Sequence, residues 1–100
     1  MENPFEMPQR GRKKADYAAL SSPLARIPGI DVKTVRDLID VGFGHVDELR
    51  GRSPEVIFGQ ICDHKPGTPK ERLFALRLAV YYAENSDPDP AKLEIWAWQD

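Results

Sequence analysis

The chain has 100 residues, the size of a single domain, because folded chains divide into units of about 100 to 200 residues. It is 41% hydrophobic and 30% charged, with a mean hydropathy of -0.51 and no apolar run approaching the roughly 20 residues of a membrane span. Its 14 basic and 16 acidic residues leave a net charge of -2 and a pI near 5.7, which excludes a generally basic DNA-packaging protein.

The charge is unevenly spread. Residues 1–83 hold 13 cations against 11 acids, whereas residues 84–100 hold Lys92 against Glu84, Asp87, Asp89, Glu94 and Asp100. A mildly basic body thus carries an acidic tail. The single cysteine, Cys62, permits no intramolecular disulfide, and the N-terminus lacks the positive-then-apolar order of a secretory signal. A cytoplasmic setting is expected.

In chain order, residues 1–14 are rich in Pro, Gly and charge without helical or strand periodicity, and read as a flexible basic arm. Arg10, Arg12, Lys13 and Lys14 offer a polyanion contact without fixed geometry; a solvated tail is the plainer reading. Helix is expected from Ala15. Ser22 and Pro23 then supply a cap followed by proline at a first helical position, and Pro28 and Gly29 stop that short helix. Val32, Val35, Leu38 and Ile39 recur at helical spacing, with Gly42 as a left-handed C-terminal cap.

A further short helix is predicted at HVDELR, with Val46 and Leu49 inward. Ser53 and Pro54 open the next, SPEVIFGQIC. After a turn from Asp63 to Gly67, Thr68 and Glu71 form the spacing of a capping box, with Pro69 between them at the first helical position. The helix that follows, apolar to Ala83 on two adjacent stripes, is predicted to be central. Asn85 to Pro90 is a linker, and AKLEIWAW is a last short helix. Little alternates with period two, so the fold class is all-α.

The segment LARIPGIDVKTVRDLIDVGF resembles a helix-hairpin-helix motif at Ile27, Pro28, Gly29, Ile30, Lys33, Thr34, Leu38, Ile39, Gly42 and Phe43. A tight turn leading into a helix aims unpaired backbone N–H groups and the positive end of the helix dipole outward, which suits a phosphate. Such contacts read no base edge, so binding is expected to be independent of sequence and weakened by salt. One residue departs from the motif: Asp31 stands where a second glycine is common. As an N-cap, its carboxylate would occupy the N–H groups a phosphate would use and repel that phosphate. Lys33 and Arg36 lie nearby, with Asp37 and Asp40 four residues after them and able to pair with them.

Such motifs often occur as a pair joined by a connector helix. The order here fits, with turns around Gly29 and Gly67 and a connector at 46–50. The second turn carries His64, Lys65 and Lys70. Together with FALRLAVYYA and the Trp-containing ending EIWAWQD, the run from residue 20 to 100 resembles the small bacterial helix-hairpin-helix family of pathogenicity locus proteins, also labelled mitomycin resistance proteins. Mitomycin crosslinks DNA, so that label agrees with a DNA-associated role.

Other constellations are thinner. Cys62 and His64 are two residues apart, but a zinc site needs three or four ligands and only His45 remains; Cys62 reads as a small buried hydrophobe. Trp96 and Trp98 would point to different sides of a helix, one over the core and one exposed, for packing or as an anchor for a protein partner. Asp37, Asp40, Asp47 and Glu48 read as solvated surface.

The expectation is therefore a compact all-α bundle of about five to six short helices with two helix-hairpin-helix-like units. Residues 1–14 form the arm, 15–84 the tandem domain and 85–100 an acidic, Trp-containing extension. The expected function is non-enzymatic, sequence-independent contact with the backbone of duplex DNA. Through the resemblance, it would be linked to DNA repair or mitomycin resistance. Phosphate contacts are assigned to Arg26, Gly29, Ile30, Asp31, Lys33 and Thr34 in the first turn and to Lys65, Gly67, Thr68 and Lys70 in the second. The competing reading is a protein-interaction module of the same fold that has lost DNA affinity; a third is an accessory subunit of a repair or resistance enzyme. No cofactor, metal, catalytic residue or membrane is implied, and the chain is expected to be a monomer or weak dimer.

Overall fold

The structure is a computed structural model that describes residues 17–100; the predicted basic arm, residues 1–14, lies outside the described residues. Among these residues are four α-helices, four single 3-10 turns and no strand. Helix α1 is described over residues 17–21, and α2 (Val32–Asp40), α3 (Pro54–His64) and α4 (Glu71–Glu84) follow. The 3-10 turns are Pro23–Arg26, Val46–Leu49, Pro90–Lys92 and Ile95–Trp98. The all-α expectation holds. The expected count of five to six helices does not, because the shortest predicted helices close only 3-10 turns.

Local chemistry sets most boundaries. Ser22 accepts a hydrogen bond from the N–H of Leu24, and Ser53 one from the N–H of Val56, each followed by proline at the start of its element. Helix α2 ends at Gly42, whose φ of +102° a side chain rarely adopts. There Gly42 N–H donates to Ile39 C=O and Phe43 N–H to Leu38 C=O, as in a Schellman cap. In the 46–49 turn, the Glu48 carboxylate accepts from the N–H groups of Gly44 and His45. Those two bonds hold the Glu48 carboxyl below its ordinary pKa.

Two predicted boundaries are corrected. Thr68 and Glu71 form no capping box: α4 begins at Glu71 with Lys70 as its N-cap, and the Thr68 hydroxyl donates to Lys65 C=O at 2.6 Å. Closing the turn after α3 takes the hydroxyl that would have capped α4. The last predicted helix is split at Leu93 and Glu94. Glu94 is extended (φ -130°, ψ 139°), and the Trp98 indole N–H donates back to Lys92 C=O.

Helix α4 is central as predicted. Leu76, Leu78 and Ala79 are fully buried, and the helix packs against α2, α3, the 46–49 turn and the 95–98 turn. Leu24, Ile27, Val35, Leu38, Leu49, Ile57 and Ile61 complete the core, with Leu93, Ile95 and Trp98 packed against it from the C-terminal segment. Tyr81 lies 5.2 Å from Trp98 between ring centroids, and Phe74 meets Trp96 edge-on at 6.4 Å. Trp96 stays 56% exposed while Trp98 is half-buried, the division the two-residue spacing predicts. Among the described residues no helix is long and apolar enough to cross a membrane.

Candidate functional site

Helix α2 lies beside the turn that joins α3 to α4, and between them is a cleft of about 310 Å³. Lys33, Arg36 and Asp37 line it from α2, Lys65 and Gly67 from the turn, and Arg72 from α4. Four cations and one carboxylate thus line the cleft.

Asp37 organises this cleft. Its side chain is only 4% exposed; Oδ1 accepts from Lys65 Nζ at 2.6 Å and Oδ2 from Arg72 Nη1 at 2.8 Å. Expected as solvated surface, Asp37 is instead among the most buried polar residues, because it shares the inward face of α2 with Thr34, Val35 and Leu38. A carboxylate buried there needs charged donors, and two long side chains from the other wall supply them. The expected pairing of Asp37 with Lys33 gives way for this reason. Asp40, expected beside Arg36, reaches Lys65 at 3.2 Å. The hydrogen bond to Asp37 raises the Lys65 pKa above its ordinary value, with Asp40 adding to it and partial desolvation opposing. Lys33 is exposed and forms no ion pair among the described residues.

The first turn is differently occupied. Asp31 is the N-cap of α2, its Oδ1 accepting from the N–H of Thr34 at 3.0 Å and from the Thr34 hydroxyl at 2.8 Å. Partial burial opposes its charge, but those bonds and the charge of Arg72 outweigh burial and hold its pKa below the usual carboxylate value. Gly29 has φ +86°, and a Cβ there would collide with the Leu93 carbonyl oxygen and reach Leu78 Cδ1 at 3.0 Å. The C-terminal segment therefore lies against the glycine of this turn. Ile95 shares with Gly29, Asp31, Lys33 and Thr34 a second hollow, to which Glu71 and Arg72 also belong.

The ten predicted contact residues consequently separate. Lys33, Lys65, Gly67 and Thr68 share the 310 Å³ cleft, while Gly29, Asp31, Thr34 and again Lys33 line the second hollow. Thr34 is buried with its hydroxyl given to Asp31, and Ile30 packs against the core. Arg26 ends the first 3-10 turn, outside both linings. Lys70 is also outside both and pairs with Asp100, which in turn accepts from Arg77 at 2.8 Å. Hydrogen bonds from Lys70 and Arg77 hold Asp100 below its ordinary pKa. The sequence reading did not assign Arg36 or Arg72 to the site. Arg72 carried a usable signal: it is the second residue of α4, the helix whose start was already read as an anion site.

Cys62 is half-buried rather than fully buried. Among the described residues no three His, Cys, Asp or Glu side chains stand close enough to hold a metal ion.

The family of the chain is decided by its agreement with one family model, described as Cdd1, pathogenicity locus, over residues 18–100. The chain belongs to the Cdd1 family. No curated protein and no solved structure gives a significant match. The matched span of this Cdd1 chain takes in α2, the cationic cleft, α4 and the C-terminal segment that lies against Gly29.

Proposed function

We propose that this Cdd1 protein is a non-enzymatic module that contacts the phosphate backbone of DNA without reading its sequence. One observation carries the reading: Lys33, Arg36, Lys65 and Arg72 line one cleft with Asp37, and Asp40 meets Lys65 at its edge, in a chain whose net charge is negative. Asp37 faces inward with both oxygens engaged, so it steadies two cations rather than shielding the mouth of the cleft. Helix α2 with the Pro28–Gly29 turn, and α3 with the Gly67 turn and α4, are read as two helix-hairpin-helix-like units. Only the second turn is proposed to present backbone groups to phosphate, since Asp31 and Leu93 occupy the first, while α2 contributes the side chains of Lys33 and Arg36 to the cleft. A link to DNA repair or mitomycin resistance is part of the same proposal.

The test is titration of two duplexes of unrelated sequence. Equal affinities are expected, falling between low and physiological salt with a logarithmic slope of about -1 to -2, because few phosphates are engaged. Absence of binding at low salt would overturn the reading. Trp96, 56% exposed against Phe74 in an acidic segment, favours the second reading, a protein-interaction module. That reading is supported if a partner is lost on Trp96→Ala while DNA does not bind.

A further inference from the structure

We propose that Asp100 stands in for a phosphate on Lys70, so that the acidic C-terminal segment competes with DNA for a cation beside the cleft. This rests on the DNA reading above and adds its regulation.

Lys70 is the N-cap of α4 and stands in the chain between Pro69 and Arg72, both of which line the cleft. Its Cα is about 3.8 Å from that of Pro69. A strand whose phosphate enters the cleft carries its next phosphate at a rise of roughly 3.4 Å, a step comparable to that between the two residues. The flexible stem of a lysine lets its ammonium group turn to meet such a neighbour. In the structure that group is already engaged: Asp100 Oδ2 lies 2.5 Å from Lys70 Nζ, while Asp100 Oδ1 accepts from Arg77 Nη1 at 2.8 Å. Two anionic oxygens, each meeting a cation of α4, offer that helix what a phosphate would offer it.

Exposure separates this pair from the buried one. The side chains of Asp37 and Arg72 are 4% and 12% exposed, whereas those of Lys70 and Asp100 are 63% and 50% exposed. An ion pair so open to water adds little to the fold and is exchanged readily for another anion. Anchoring two residues earlier keeps Asp100 at hand. Trp98 is half-buried against Tyr81 and its carbonyl accepts from Arg77 Nη1 at 2.6 Å, while Gln99 and Asp100 beyond it are exposed. A carboxylate tethered so closely competes at an effective concentration on the order of millimolar. The rest of the segment acts in the same direction, since residues 84–100 hold five acids against Lys92 and their field repels a polyanion.

The experiment titrates the full chain, unaltered and as Asp100→Asn, against a labelled duplex at several salt concentrations. Asp100→Asn is expected to bind about three- to tenfold more tightly at low salt, with a logarithmic salt slope steeper by about one, the mark of one further phosphate. Two controls separate a freed lysine from a general loss of negative charge. Asp87→Asn, which removes an exposed acid of the same segment, should gain much less, and Asp100→Asn made in a Lys70→Gln background should gain no more than that. Circular dichroism should show the same helix content in every variant. Equal affinity of the unaltered protein and Asp100→Asn overturns the competition and leaves backbone contact standing. An equal gain from Asp87→Asn, or a gain that persists without Lys70, does the same. No binding by either the unaltered protein or Asp100→Asn overturns the DNA reading and the competition with it.

Discussion

Asp37 and Arg72, 35 residues apart in the chain, meet at 2.8 Å with the Asp37 side chain 4% exposed and the Arg72 side chain 12% exposed. Lys65 completes the arrangement at 2.6 Å on the other carboxylate oxygen, so α2, the turn after α3 and α4 are joined through one side chain. The same contact sets the position of two of the four cations in the cleft.

Asp37→Asn should therefore destabilise the protein by on the order of 3 kcal/mol, because removing one partner of a buried pair leaves the other charge uncompensated. Urea unfolding followed by tryptophan fluorescence measures this, and a change under about 0.5 kcal/mol, typical of a surface position, would refute a buried clamp.

Gly29→Ala should cost about 1 to 3 kcal/mol, since φ +86° is strained for alanine and the new methyl meets the Leu93 carbonyl. The loss should extend to the C-terminal segment, where Trp98 reports on it. Thermal unfolding with an unshifted midpoint would show that the segment does not lie on this turn.

Acid should destabilise the protein partly through Asp31. Its folded pKa lies below the ordinary 3.8, so its contribution is complete above that value and is lost as pH falls through the lower folded value. The urea midpoint should fall on acidification below about pH 4, and Asp31→Asn, which keeps an acceptor for the cap, should flatten that limb. Parallel acid limbs in the two proteins would contradict the assigned cap.

The two tryptophans should behave unequally. Trp98→Ala removes the hydrogen bond to Lys92 and the contact with Tyr81 and should cost about 2 kcal/mol, whereas Trp96→Ala should cost under about 1 kcal/mol. Equal losses in chemical denaturation would place the two side chains in similar environments.

What was legible in the sequence followed from local rules. Ser22, Ser53 and Gly42 mark boundaries through bonds made within a few residues, and the apolar stripes of α4 reveal its centrality. The cleft was only half legible. Lys65 and Gly67 belong to one turn and were read together, but Arg72 joins them through Asp37, a partner from a distant helix. Asp37 itself stood on the Thr34–Leu38 face, where helical spacing pointed inward, and its charge led it to be read as surface. The closure of the first turn was not legible, because it depends on where the backbone of Leu93 comes to rest rather than on its side chain.

The central claim, that the cationic cleft is the DNA contact, is tested most directly by fluorescence anisotropy of a labelled duplex at low salt with Lys33→Glu beside Arg50→Glu. Both residues are exposed, but only Lys33 lines the cleft. The account predicts at least about tenfold weaker binding for Lys33→Glu and little change for Arg50→Glu. Binding by Lys33→Glu as tight as that of the unaltered protein would contradict it.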